Sequence, residues 1–171
     1  METIVERATS RDLRMIARLL DQGGAKWAGV VNEKFLDSDQ NILLVARLAR
    51  GTPCGFLYAY LLERLDSPEP MMFLYAIDVF PRYRRRGVGS KLVEALKTIA
   101  GQRGCGKMFV LTTAPNEAAR ALYEGTGGHT GIEDDVLYVY RLQSGGTTLT
   151  RKNGGAPGHE GSPDRTRDHH G

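Results

Sequence analysis

Polar and apolar residues alternate over Thr3 to Ala8, with Ile4 and Glu6 set against Val5 and Arg7, and this two-residue period predicts a short first strand. The period then lengthens. Thr9, with Asp12 three residues on, makes a capping-box-like start, and Leu13, Ile16, Ala17 and Leu20 fall on one helical face that stops near Gly23-Gly24. Lys26 to Gln40 has two readings. Trp27, Val30, Val31 and Phe35 give a helical rhythm, while Asn32, Glu33, Asp37 and Asp39 give an acidic, solvated surface. Asn41 to Arg47 and Cys54 to Leu62 are strand-like runs joined at Arg50-Gly51-Thr52-Pro53, hence a hairpin.

After a loop with two prolines, Arg64 to Pro70, an apolar strand runs from Met71 to Phe80 and stops at Pro81. A helix is predicted over Ser90 to Arg103, with Leu92, Leu96 and Ile99 on one side and Glu94 and Lys97 opposite. Lys107 to Thr113 reads as the next strand, with both faces covered. Strand, crossover helix and strand imply a parallel pair with a right-handed connection. A short helix, Asn116 to Glu124, and a closing strand, Asp135 to Leu142, complete a mixed α/β pattern over residues 1–142.

From Gln143 the composition changes. Residues 143–171 hold seven glycines, two prolines and three of the four histidines, with Leu149 and Ala156 as the apolar residues. Too little apolar surface is available to offset ordering entropy, so a flexible tail is expected. Its histidines lack the folded scaffold and cysteine partners of a zinc site, and no metal is expected. A chain of 171 residues, 41% hydrophobic, is sufficient for one ordinary domain with a sizeable core. No apolar run reaches the roughly 20 residues of a membrane span, and no signal pattern opens the chain, so a cytoplasmic location is expected. A net charge of +3, with the arginines gathered at 82–86, does not predict nucleic-acid binding. Cys54 and Cys105 lack framework spacing and read as reduced thiols.

The chemistry concentrates at Val79-Phe80-Pro81-Arg82-Tyr83-Arg84-Arg85-Arg86-Gly87-Val88-Gly89-Ser90. A strand, a cationic glycine-bearing turn and a helix N-terminus make an anion site. The first helical N–H groups have no intrahelical partner, and the helix dipole places partial positive charge there. Glycines at 87 and 89 would admit a ligand close to the backbone, and Arg84, Arg85 and Arg86 supply charge suited to phosphate. The run fits neither the P-loop nor the dinucleotide fingerprint. Arg84-x-x-Gly87-x-Gly89, following Val79-x-Pro81, instead resembles the acetyl-CoA pyrophosphate loop of the GNAT superfamily of N-acetyltransferases. So does Asn116-x-x-Ala119-x-x-Leu122-Tyr123 before Gly127-Gly128.

That resemblance implies a GNAT fold: a mostly antiparallel sheet in which a bulge in Met71–Phe80 splays one parallel strand pair, with helices on both sides. Acetyl-CoA as co-substrate would lie in the gap. It would be held by Ile77, Val79, Arg84, Arg85, Arg86, Gly87, Val88, Gly89, Ser90, Asn116, Ala119 and Tyr123. Tyr123 is either the acid that protonates the leaving thiolate or a packing residue. Asp78 is either the base that takes the amine proton, directly or through water, or an anchor for a cationic acceptor.

A narrower resemblance spans Ala59 to Leu142. Leu74-Tyr75-Ala76-Ile77-Asp78-Val79, the arginine loop, Arg103-Gly104-Cys105 and Asn116 through Gly128 look like class I aminoglycoside 3-N-acetyltransferases, which confer antibiotic resistance. Those enzymes often carry an acid where this chain has Ala76. The implied acceptor is the aminoglycoside 3-amino group, with Glu33, Asp37, Asp78, Glu133, Asp134 and Asp135 as candidate acceptor contacts; for the last three a solvated loop is the other reading. Other amines (a polyamine, an amino acid, a peptide N-terminus) and a non-catalytic acyl-CoA-binding module are the competing readings. No membrane or nucleic-acid partner is expected, and the family resemblance implies a possible homodimer.

Overall fold

Alternation at the N-terminus becomes strand β1, Thr3–Arg7, and a 3-10 turn at Ser10–Asp12 leads into helix α1, Leu13–Gln22. The structure is a computed structural model that describes residues 2–22, 31–131 and 140. Contacts divide the chain after Gly131, and the elements below belong to the unit Met1–Gly131. The Asp12 carboxylate accepts from the Thr9 amide at 2.8 Å and the Thr9 hydroxyl at 3.2 Å, the reciprocal half of the expected capping box. Arg47 then pairs with both Asp12 and Glu6, tying the start of α1 to β1 and β2. Burial pushes the Asp12 carboxyl up, but the Thr9 amide and the Arg47 guanidinium together hold it below its ordinary value.

The predicted hairpin forms β2, Asn41–Leu48, and β3, Pro53–Leu62; the central apolar strand forms β4, Met71–Val79. Helix α2, Val88–Gln102, crosses to β5, Lys107–Val110, and helix α3 spans Glu117–Gly125. The sheet order is β1-β2-β3-β4-β5; the first three pairings are antiparallel, and β4 with β5 is parallel. The sheet is covered on both faces. Leu92 and Leu96 of α2, both fully buried, pack over Leu44, Leu57, Met72 and Leu74, while Leu13 and Ile16 of α1 cover Leu43, Val45 and Phe56. Burying a side chain of this size contributes about 1.5–3 kcal/mol, so these contacts fix the sheet faces.

Two segments differ from the sequence reading by more than one or two residues at an end. The strand expected to reach Thr113 ends at Val110, because its ladder with β4 has only four pairs, Met71↔Lys107 to Leu74↔Val110. The acidic stretch after residue 30 forms a 3-10 turn, Glu33–Asp37, opened by Asn32, whose Oδ1 accepts from the Lys34 amide at 3.2 Å. The helix end at Gly23-Gly24, Trp27 and Val30 lie outside the described residues. So do the closing strand over Asp135–Leu142, apart from Tyr140, and the tail 143–171. Cys54 and Cys105 are free thiols. No helix among the described residues is long and apolar enough to cross a membrane.

Candidate active site

Strand β4 changes its pairing midway. Tyr58 pairs with Ala76 and Ala59 with Leu74, which leaves Tyr75 as the extra residue of a β-bulge. The ladder with β5 stops at Leu74, immediately before that residue, while β4 runs on to Val79. A bulge shifts the two-residue parity of side chains. Leu74, Ile77 and Val79 therefore all belong to the core under α2, while Ala76 and Asp78 lie opposite Tyr58 and Phe56 and share the other face. The strand thus separates from its parallel neighbour beside Ile77 and Val79, as the family resemblance implied.

Beyond Val79 a 3-10 turn at Pro81–Tyr83 leads into the arginine elbow. Arg85 at φ 56° and Gly87 at φ 77° are both left-handed and lie in the turn between β4 and α2. The first helical bond of α2 runs from the Lys91 amide to the Gly87 carbonyl at 3.0 Å, so the amides of Val88, Gly89 and Ser90 precede the intrahelical ladder. Arg85 and Arg86 are exposed beside them. Arg84 is placed differently. Its Nε donates to the Val79 carbonyl at 2.8 Å and its Nη2 to Asp78 Oδ1 at 3.2 Å, which braces the elbow against the end of β4.

The two elbow glycines have different physical reasons. A side chain at Gly87 would meet nothing within 4 Å, and its positive φ is what favours glycine. At Gly89 a Cβ would sit 3.2 Å from Leu122 Cδ2, so glycine there permits close packing of α2 on α3. The sequence reading gave both the single reason of ligand approach.

Helix α3 is set against α2 at two points and closed at its own end. Leu122 packs under Gly89 at the elbow and Lys97 of α2 donates to the Thr126 carbonyl at 3.0 Å, while the Gly128 amide donates to the Tyr123 carbonyl at 2.8 Å. Tyr123 thereby joins the same apolar cluster as Ile77, Val79 and Val88. Burial pushes its phenol above the ordinary value, keeping the proton on the oxygen. Asn116 caps the helix, its Oδ1 accepting from the Ala119 amide at 3.2 Å.

On the opposite face, Asp78 Oδ1 accepts from its neighbour's amide, Val79 N, at 2.7 Å as well as from Arg84. Glu33 and Asp37 are exposed on the 3-10 turn, whose Phe35 meets Tyr58 and Tyr60 edge-on at 5.6 and 5.5 Å. Glu133, Asp134 and Asp135 lie outside the described residues. The structure thus gathers Ile77, Val79, Val88, Gly89 and Tyr123 at one locus and links Asp78 to Arg84. The aromatic array on the Asp78 face was not read from the sequence. Its signal was there: Phe56, Tyr58 and Tyr60 alternate along β3, and Phe73 and Tyr75 do so along β4.

Residues 7–127 match the model of the acetyltransferase (GNAT) family. An aminoglycoside N(6′)-acetyltransferase type 1 from Salmonella typhimurium is 29% identical over 99 residues, 56% of this chain and 67% of that protein. A [ribosomal protein bS18]-alanine N-acetyltransferase from Escherichia coli is 34% identical over 76 residues, 44% of this chain and 50% of that one. Among solved structures, an aminoglycoside acetyltransferase from an uncultured soil metagenomic sample, crystallised with trehalose, superposes with a TM-score of 0.71 at 26% identity. It covers 82% of this chain and 97% of that one.

Proposed function

Since the chain belongs to the acetyltransferase (GNAT) family, we propose that it transfers the acetyl group of acetyl-CoA directly to an amine of a small cationic acceptor, with an aminoglycoside as the leading acceptor. The observation that carries this reading is continuity. The separation of β4 from β5 at Tyr75 runs straight into an elbow of outward amides and exposed arginines at the start of α2. An extended pantetheine arm beside Ile77 and Val79 would leave its pyrophosphate at Gly87, Val88, Gly89 and Ser90, with Arg85 and Arg86 offering charge-assisted bonds. Arg84 acts mainly by bracing the loop. Asn116 and Ala119 border the arm from the start of α3.

In this mechanism the neutral amine nitrogen attacks the thioester carbonyl, and a tetrahedral oxyanion forms. It collapses with loss of the thiolate, and Tyr123 gives that sulfur its proton. A free thiol titrates at about 8.5 and a phenol at about 10, and burial raises Tyr123 further, so the donation is uphill and is drawn forward by departure of the product. Asp78 takes the amine proton through water or anchors an acceptor ammonium. Its Oδ1 already accepts from Arg84 and from the Val79 amide, which leaves Oδ2 for an acceptor ammonium and favours the anchoring role; the amine proton then passes through water to solvent. Glu33 and Asp37, with Glu133, Asp134 and Asp135, would add acidic contacts for a polycation.

Which amine is acetylated divides the readings. The motif resemblance pointed to the 3-amino group, whereas the Salmonella relative's name carries N(6′), which favours the 6′-amino group on the same class of acceptor. A peptide N-terminal amine is the second reading, favoured by the similarity to the bS18-alanine enzyme. A thiol-release assay with acetyl-CoA against gentamicin-like aminoglycosides, spermidine and short peptides tests all three. Fastest release with the aminoglycosides is expected, and mass spectrometry of the product locates the acetyl group. Release with peptides alone would replace the aminoglycoside reading, and uptake of coenzyme without release for any amine would leave a binding module.

A further inference from the structure

Seven aromatic rings from four elements meet on the face of the sheet that carries Asp78. Phe35 comes from the 3-10 turn, Phe56, Tyr58 and Tyr60 from β3, Phe73 and Tyr75 from β4, and Phe109 from β5. Tyr58 and Tyr75 stack with centroids 5.1 Å apart and 27° between planes, and Phe73 stacks on Phe109 at 4.8 Å and 8°. Tyr60 and Phe73 meet the Tyr75 ring edge-on at 5.7 and 5.6 Å. Each ring is braced by another, so the array is rigid and preformed.

Tyr58 and Tyr60 are the half-buried centre of the array, and Tyr75, held by three ring neighbours, is the ring that reaches solvent, 54% exposed. It is also the bulge residue, one position past the last β4–β5 pair, where the strand opens. The following residue, Ala76, lies opposite Tyr58 and contributes only a methyl group on that face. Burial pushes the Tyr58 phenol up to about 12, so it stays neutral, and the acids Glu33 and Asp37 flank Phe35 on the exposed turn.

We propose that exposed Tyr75, backed by half-buried Tyr58 and Phe73, is the acceptor platform and selects an amine carried on a rigid polyhydroxylated ring, an aminosugar, over a linear polyamine or peptide of equal charge. This rests on the acetyl-transfer reading above. An aromatic face attracts both the C–H face of a sugar ring and an adjacent ammonium group. Tyrosine hydroxyls exchange hydrogen bonds with sugar hydroxyls. A flexible chain pays more ordering entropy to lie on a flat rigid surface than a ring does.

The test is a calorimetric titration of CoA-saturated protein with the two-ring aminosugar neamine and with spermine, which carries the same number of amines, for the wild type, Tyr75→Ala and Tyr75→Phe. Thermal melts of each variant control for folding. Neamine is expected to bind at least tenfold more tightly than spermine. Tyr75→Ala should weaken neamine about tenfold and spermine by less than threefold, while Tyr75→Phe stays within about threefold of wild type. Unchanged neamine affinity in a folded Tyr75→Ala protein, or tighter binding of spermine than of neamine, overturns the platform while leaving acetyl transfer standing. Failure of the wild type to saturate with CoA overturns both.

Discussion

Replacing Gly89 by alanine separates two reasons for glycine at the helix start. The added methyl would lie 3.2 and 3.3 Å from the two methyl groups of Leu122, its nearest neighbours. Relief requires Leu122 to yield by a few tenths of an ångström, and overpacking of this kind costs about 1–3 kcal/mol. Alanine recovers about 0.5–1 kcal/mol of that through its lower backbone entropy in a helix. The net loss is about 1 kcal/mol, a shift of about 2–4 °C in melting temperature for a chain of this size. The displacement is passed to Tyr123, the next residue of α3. Since a 1 Å misplacement at a reacting centre costs about a hundredfold in rate, a shift of half that size should lower kcat about tenfold. Acetyl-CoA affinity should stay within about threefold, because the amides of Val88 and Ser90 are untouched. Adding Leu122→Ala removes the clash and should restore part of the lost rate, a coupling of about 0.5 kcal/mol or more in the double-mutant cycle. Steady-state kinetics with melting curves for the two single variants and the double variant give the answer. A Gly89→Ala protein that keeps full kcat but loses coenzyme affinity would refute the packing account and restore the simpler one of ligand approach.

Three further outcomes follow from the same contacts. Tyr123→Phe should lower kcat about 10²–10⁴-fold with little change in coenzyme affinity; because burial raises its phenol above 10.0, wild-type kcat should show no alkaline fall through pH 9 from this group. Arg85→Gly should relieve a left-handed residue and raise stability by about 1 kcal/mol, read as a higher melting temperature, yet weaken acetyl-CoA severalfold, more at low salt than at high. Asp12 is held below its ordinary value of 3.8, so the unfolded chain binds its proton first; its contribution is complete above that pH and is lost as pH falls through the lower folded value. Asp12→Asn should therefore flatten the acid limb of stability below pH 3.8, measured by melts across the acid range, and cost about 1 kcal/mol at neutral pH.

Much of the fold was legible because its cues are local. The change of period at Thr9, the Arg50–Pro53 turn and the break at Pro81 each coincide with an element boundary in the structure. The anion elbow was legible for the same reason: strand, glycines and helix start are contiguous in the chain. What was not legible depends on which strand lies opposite which. That Tyr75 is the bulged residue has no glycine or proline to announce it, and the bulge itself came from family resemblance. The early end of β5 follows from that bulge and so was missed with it. Gly89 was given a ligand-facing role because its partner, Leu122, is 33 positions away in sequence. The aromatic tier depends on β3, β4 and β5 lying side by side, although its alternating tyrosines and phenylalanines were visible on each strand taken alone. Arg84 was grouped with its neighbours by charge, and only the coordinates show its guanidinium turned back onto Asp78 and Val79.

The measurement that bears most directly on the whole account is a calorimetric titration of acetyl-CoA into the wild-type protein and into Gly87→Val, each checked for a cooperative melt. One acetyl-CoA per chain should bind to the wild type, and at least tenfold more weakly to the variant, whose branched side chain opposes the left-handed turn at φ 77° that aims the α2 amides outward. Absence of binding heat from the wild type, or equal affinity in a folded Gly87→Val protein, would contradict it.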